Sequence, residues 1–405
     1  MRIYAAFTLG IVLSACGRSP MGVSPPHDAH WDSTAVPDAQ ADLKPRATSD
    51  AACTWGFAPP VRRLVEAATN SVTAGDFNGD GHPDLVFSTN ESNTVGVLLN
   101  TGDGTFRPPV TYTVGRTAVY APRGDFVAAG DFNGDGALDL AVVNGTADSS
   151  VSVLLNSGNG TFQPQVTYPV GSGSQAIAAA DFNRDGFLDL VVANFTGYGT
   201  VSVLLNAGNG TFQPQVVYPA SVGPAALAVA DFNGDGFVDV AVANDWPGDV
   251  VSVLLNRGDG TLAAPVTYTA GSFSPVSIAA GDLNRDGLPD LAVANLTDDT
   301  VSVLLNAGDG TFLPQVTYPT GNYADIVRIG DFNGDGVPDL AVANLNDSTI
   351  SVFLNIGDGT FRLRGSYVSD FPVSVAVADF NGDGVADLAS TDWYEAVTVL
   401  LSECQ

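Results

Sequence analysis

Short apolar runs alternate with fixed polar loops along nearly the whole chain, and the pattern recurs about every 50 residues. In the third repeat Gln175–Ala180 is apolar, the loop Asp181–Asp189 follows, and Leu190–Ala193 is a second apolar run. After a variable loop, Val201-Ser202-Val203-Leu204-Leu205 forms a third. Asn209-Gly210 is a hairpin turn signal. Thr211-Phe212-Gln213-Pro214-Gln215-Val216-Val217-Tyr218 forms a fourth strand, and its proline marks a sheet edge. No stretch sustains a helical period. Four antiparallel strands at this spacing predict an all-β fold, a seven-bladed β-propeller of four-stranded blades. An open solenoid would need polar capping repeats, and none is visible.

The ends support closure into a ring. The last repeat stops after its third strand, Ala396–Leu401. A fourth-strand sequence stands instead before the first polar loop, where Phe57-Ala58-Pro59-Pro60-Val61 matches Phe106-Arg107-Pro108-Pro109-Val110. An amino-terminal strand that completes the last blade removes the free edge. Residues 53–405 therefore make the propeller, and first strands such as Ala178-Ala179-Ala180 and Ala279-Ala280-Gly281 are small enough to crowd the axis.

The polar loop carries the candidate chemistry. Asp76-Phe77-Asn78-Gly79-Asp80-Gly81-His82-Pro83-Asp84-Leu85 recurs seven times, with steps of 55, 50, 50, 51, 49 and 48 residues. Oxygen side chains at alternate positions, closed by a glycine that permits a sharp turn, suit a hard cation such as calcium. The candidate ligands of the first copy are Asp76, Asn78, Asp80, the carbonyl of His82, and Asp84. Those of the second are Asp131, Asn133, Asp135, Ala137 and Asp139, and of the third Asp181, Asn183, Asp185, Phe187 and Asp189. The fourth offers Asp231, Asn233, Asp235, Phe237 and Asp239, and the fifth Asp282, Asn284, Asp286, Leu288 and Asp290. Asp331, Asn333, Asp335, Val337 and Asp339 form the sixth, and Asp379, Asn381, Asp383, Val385 and Asp387 the seventh. About seven Ca2+ ions per chain are expected. Identical sites in every blade read as scaffold rather than switch. The competing reading is a set of turns held by Asx hydrogen bonds without metal.

Charge follows from these loops. They hold 21 of the 44 acidic residues, and seven divalent cations would bring the net charge from −29 to −15. The acidity argues against nucleic acid and anionic membrane as partners.

Residues 1–15 have the form of an export signal, with Arg2 before the short apolar stretch Ile3–Leu13. Leu13-Ser14-Ala15-Cys16 resembles a bacterial lipobox, which makes Cys16 the expected lipidated residue of an envelope lipoprotein. Gly17 in the next position favours the outer membrane. Residues 16–52 are rich in Pro, Ala, Ser and Asp and read as a flexible tether, with His27 and His30 as polar filler. Cys53 and Cys404 flank the split blade at equivalent places, so a disulfide between them is expected in an oxidising compartment.

The loops and the Gly-Asp-Gly-Thr-Phe that follows many third strands resemble the FG-GAP and VCBS repeats, best known from integrin α-subunit heads. The resemblance covers all seven repeats. It implies a propeller with calcium between the first two strands of a blade, on the ligands named above. Arg184 and Arg285 replace the glycine at the fourth loop position, which points outward in such loops. Repeat two carries an insertion near Gly115–Phe126 that the family pattern does not cover.

In an antiparallel blade the metal loop and the third-to-fourth hairpin share one end. That end is nearly invariant among the repeats. The opposite end diverges and holds Tyr120, Arg123, Tyr198, Trp246, Phe273, Tyr323, Trp393 and Tyr394, the expected ligand face. Arg123-Gly124-Asp125 spells an integrin-recognition tripeptide and reads as coincidence, as do glycosylation-like triplets such as Asn144-Gly145-Thr146. No catalytic constellation stands out. The expected function is binding or adhesion, toward an envelope or extracellular protein or a glycan. A sugar-specific lectin and a polysaccharide hydrolase or lyase are the alternatives; near-interchangeable blades weigh against the enzyme.

Overall fold

A computed structural model describes residues 55–404 apart from 66, 91, 117–124, 146–147, 196–197, 246–247 and 272–273. Among the described residues, seven four-stranded antiparallel sheets follow one another. The third blade is typical: Ser174–Ala180 pairs with Asp189–Asn194, that strand with Thr200–Leu204, and the last with Val216–Pro219. First strands of successive blades stand side by side, and that of the seventh blade, Pro372–Ala378, stands beside that of the first, Thr69–Gly75. The sheets therefore close into a propeller.

The split blade forms as the sequence requires. Val61–Leu64 pairs with Ala396–Leu400 as the outer strand of the seventh blade. A short extra ladder joins Trp55–Phe57 to Ser402–Cys404. It places Trp55 opposite Cys404, while Cys53 lies outside the described residues, as does Cys16.

Burial explains the apolar runs. Second strands such as Asp189–Asn194 are covered on both faces by neighbouring blades, so they need no polar alternation. Fourth strands are exposed, and outside blade six, where Phe361–Val368 runs its full length, they are shorter than the sequence suggests. Thr211–Tyr218 reads as one strand, but the ladder runs only over Val216–Pro219. Pro214 has no N–H to donate, and Phe212 instead makes a lone bridge to Asn206.

One blade departs from the repeat by a compensated swap. Phe87 fills the place that Val142 holds in blade two, and Gly96 stands where blade two has Ser152. A Cβ at Gly96 would come within 2.1 Å of the Phe87 ring. Gly96→Ser, although it restores the serine of blades two to six, should destabilise by about 1–3 kcal/mol through overpacking. Adding Phe87→Val should recover most of that loss, as a double-mutant cycle in urea would show.

The axis holds an ion pair that joins blades two and six. Arg328 sits in a column of small residues, Thr73, Ala128, Ala178, Ala228, Ala279 and Ala376, each three positions before its metal loop. Its Nη2 donates to Asp125 Oδ1 at 3.1 Å, its Nη1 to the Val327 carbonyl at 3.2 Å, and its Nε to the Val375 carbonyl. Burial pushes the Asp125 carboxyl up to about 8 against the pull of Arg328, and lowers Arg328 to about 10. Asp125 is 1 % exposed, so the Arg-Gly-Asp triplet does not offer its acid to solvent; Arg123 and Gly124 lie outside the described residues.

Candidate metal centres and the opposite face

The metal loops share one pattern of internal bonding, except that the fourth-position N–H bond to the first aspartate is made only in the five loops with glycine there. In the first, Asp76 Oδ1 accepts from the N–H groups of Gly79 (2.7 Å) and Asp80 (3.1 Å), and Oδ2 from Gly81 (2.8 Å). Asn78 Oδ1 accepts from Asp80 N–H at 2.8 Å, and Asp80 Oδ1 from His82 N–H at 3.0 Å. From the second loop onward the third-position amide also donates to the fifth carboxylate, as Asn133 to Asp135 and Asn183 to Asp185, both at 2.9 Å. Loop position six takes positive φ in all copies, +87° at Gly81, which glycine adopts without strain. Position four does the same, with φ +57° at Arg184 and +64° at Arg285. Arg184 recovers part of that strain by lying 4.0 Å from the Phe237 ring centroid in the next loop.

The ninth carboxylate is set apart from the other two. Asp84 is fully buried, and its Oδ2 accepts from Phe77 N–H at 3.0 Å while its Oδ1 accepts from Asn100 N–H at 2.7 Å. The same two bonds recur at Asp139, Asp189, Asp239, Asp290, Asp339 and Asp387. The ninth aspartate thus ties the start of its loop to the end of the third strand. Burial raises its carboxyl to about 6 in most blades; the backbone bonds oppose this, and the fifth and first carboxylates add to the rise.

Among the described residues no three carboxylate, imidazole or thiol groups converge as a metal-holding cluster as the side chains stand. The donor set nonetheless fits a hard cation. Each loop offers three carboxylates, an amide oxygen and a main-chain carbonyl, and its first and fifth carboxylates are near enough to raise the ninth. A bound calcium ion would offset most of that charge and pin the loop.

A second device at this end is absent from the sequence reading. The asparagine that ends the third strand latches each blade to the one before it. Asn156 Nδ2 donates to the Phe77 carbonyl of blade one at 2.8 Å and to Leu138 of its own blade at 2.9 Å. Asn206, Asn256, Asn306 and Asn355 repeat the inter-blade bond, and Asn100 closes the ring onto Phe380. The loop phenylalanine packs beside the latch against a phenylalanine of the next blade, as Phe132 against Phe212 at 5.7 Å. Blade seven keeps the ring contact, Phe57 to Phe332 at 6.3 Å, but has Ser402 where the asparagine belongs. Ser402→Asn should supply the missing latch and stabilise by about 1 kcal/mol, read as a higher urea midpoint.

At the opposite end, the side chains expected to form the ligand face divide. Tyr198 is 92 % exposed, Tyr394 59 % and Trp393 39 %. Tyr323 is half-buried and packs against Val276 and Leu296, so it serves local packing. Tyr120, Arg123, Trp246 and Phe273 lie outside the described residues. Phe371, which the sequence reading passed over, is 40 % exposed and meets Tyr394 edge to face at 5.4 Å.

The FG-GAP-like repeat profile matches residues 76–142, 131–192, 181–242, 231–293, 282–342 and 331–390. No curated protein sequence matches. Among solved structures the chain is similar to BBS1N in complex with ARL6DN, with TM-score 0.60 and 16 % identity over 86 % of this chain and 96 % of that one. It is also similar to an Agrocybe aegerita lectin described as recognising non-reducing terminal N-acetylglucosamine, with TM-score 0.55, 21 % identity and the same coverage. Identities this low carry the fold alone. The matched repeats span the ring from the first metal loop into the seventh blade, and the chain belongs to the FG-GAP-like repeat family.

Proposed function

We propose that this protein is an exported, calcium-stabilised binding module that recognises a protein or a carbohydrate at the cell envelope through its variable end. The observation that carries the reading is the division of labour between the two ends. One end repeats the same loop, ninth-aspartate clamp and blade-to-blade contacts around the ring. The other end differs from blade to blade and leaves Tyr198, Trp393 and Tyr394 in solvent. Large side chains on loops held by a rigid scaffold are the usual means of recognition. Repeats of this family often bind calcium, and the oxygen donor set of each loop suits it. The similar lectin and the similar BBS1N propeller are a sugar binder and a protein-complex component by their descriptions, and both modes are open to this scaffold. Lipid attachment at Cys16 would hold the module at the envelope, probed by mass spectrometry of the mature amino terminus. In that oxidising setting a Cys53–Cys404 disulfide would lock the split blade.

The test is a binding screen against glycans and envelope proteins, with and without calcium. A ligand lost on mutation of the variable end supports the reading. Binding abolished only by charge reversal on the hairpin end would place recognition on the wrong face.

A further inference from the structure

We propose that the corner of the seventh blade formed by Phe371, Trp393 and Tyr394, with Arg62 and Asp370, is a binding site for a neutral saccharide. This rests on the binding-module reading and gives it a place and a ligand class.

The first observation is backbone strain without a packing reason. In blades three to seven the residue eight positions before the metal loop turns the chain with positive φ. It is Gly173 (+72°) and Gly223 (+81°) in blades three and four, Ser274 (+56°) in blade five and Tyr323 (+60°) in blade six. In blade seven it is Phe371, with φ +39°. Bulky side chains avoid this region, and such outliers gather at binding sites. Tyr323 turns inward on Val276 and Leu296, so burial offsets its strain. Phe371 stays 40 % exposed and meets Tyr394, itself 59 % exposed. Folding alone would be served better by the glycine of blades three and four.

The second observation is that the corner is held rigidly. Asp392 Oδ1 accepts from the N–H groups of Tyr394 (2.8 Å) and Ala396 (2.9 Å), which fixes the loop that carries Trp393 and Tyr394. Asp392 Oδ2 accepts from Arg62 Nη2 at 2.8 Å and Nε at 3.2 Å. Arg62 belongs to the amino-terminal strand that completes this blade, so the site needs the closed ring. The Arg62 side chain remains 38 % exposed, and the side chain of Asp370, 59 % exposed, stands 3.8 Å from its Nε.

The chemistry selects the ligand class. Exposed rings suit the apolar C–H face of a pyranose, and their rigidity keeps the ordering cost low. Asp370 supplies an acceptor for hydroxyls and Arg62 a donor. An anionic ligand would meet Asp370 and the field of an acidic chain of net charge −29, and a cationic one would have to compete with Arg62 for Asp370. A neutral polyhydroxyl ligand meets neither penalty.

Phe371→Gly separates binding from folding. Glycine relaxes the turn while deleting the ring, so this variant should melt at or above the wild type yet bind more weakly. The assay is a panel of neutral hexoses, N-acetylhexosamines and their oligomers, alongside uronic acids, cationic peptides and envelope proteins, followed by calorimetry. The expected result is binding of a neutral saccharide that Phe371→Gly, Trp393→Ala and Tyr394→Ala each weaken about tenfold or more. Val266→Ser, on the exposed outer strand of blade five, should leave it unchanged. A neutral saccharide bound equally by all variants would overturn this site and leave the module reading standing. Selective binding of an anion, a cationic peptide or a protein would overturn the ligand class. No binding to any probe would remove the module reading together with the site. A lower melting temperature for Phe371→Gly would overturn the strain argument.

Discussion

Chelating calcium should lower the melting temperature by roughly 5–20 °C. With dissociation constants on the order of 0.1–1 mM and ~1 mM free calcium, each site would stabilise the fold by about 0.4–1.4 kcal/mol. Seven such sites contribute about 3–10 kcal/mol, and a chain of this size loses a degree or two per kcal/mol. The loss has a definite origin. Without the ion, three carboxylates in each loop repel one another, and the Asx bonds hold the turn without removing that charge. Salt should therefore soften the effect of chelator, because the fifth carboxylates are exposed and the first only half-buried, so both are screenable. Elemental analysis should return several calcium ions per chain. At most one ion per chain together with an unchanged melting curve in chelator would leave the loops as metal-free turns.

The parts legible in the sequence are those whose chemistry sits within one repeat. The loop spacing, the apolar second and third strands and the hairpin turn each leave a local signature. The split blade was legible because Phe57 and Phe106 share a pattern, and Phe57 does take the expected place against Phe332. The blade latch was not, since its acceptor is a main-chain carbonyl of another blade, some 70 to 80 residues away, and carbonyls leave no mark in a sequence. The repeated Leu-Asn at the end of the third strand was its only signal. Arg328 and Asp125 lie 203 residues apart and belong to no motif. Aligned column by column, the repeats mark Arg328, a lone large residue among alanines and a threonine, but not its partner. The same comparison exposes Phe371, which shares its column with Gly173 and Gly223. Tyr323 matches Phe371 in column position and aromatic character, and only packing tells them apart.

Asp239→Ala should destabilise the propeller by about 3–5 kcal/mol, and most of that loss should persist in chelator. The side chain is fully buried and accepts from Phe232 N–H at 2.9 Å and Asn256 N–H at 2.7 Å. Truncation leaves two buried donors unpaired, at about 1–3 kcal/mol each. It also loosens Asn256, whose amide holds the Phe182 carbonyl of the preceding blade at 2.8 Å. Asp239→Asn keeps one acceptor oxygen and should lose less, about 1–3 kcal/mol. The fifth carboxylate offers the contrast. Asp235 is exposed and accepts from Phe237 N–H at 2.8 Å, a bond that water can replace. If Asp235 acts as a metal ligand, Asp235→Ala should cost stability in calcium and almost nothing in chelator. Urea midpoints of both alanine variants, with and without chelator, form a cycle that separates the two roles. Equal losses for both variants in chelator would show that the ninth aspartate is no clamp and that its burial serves the ion alone.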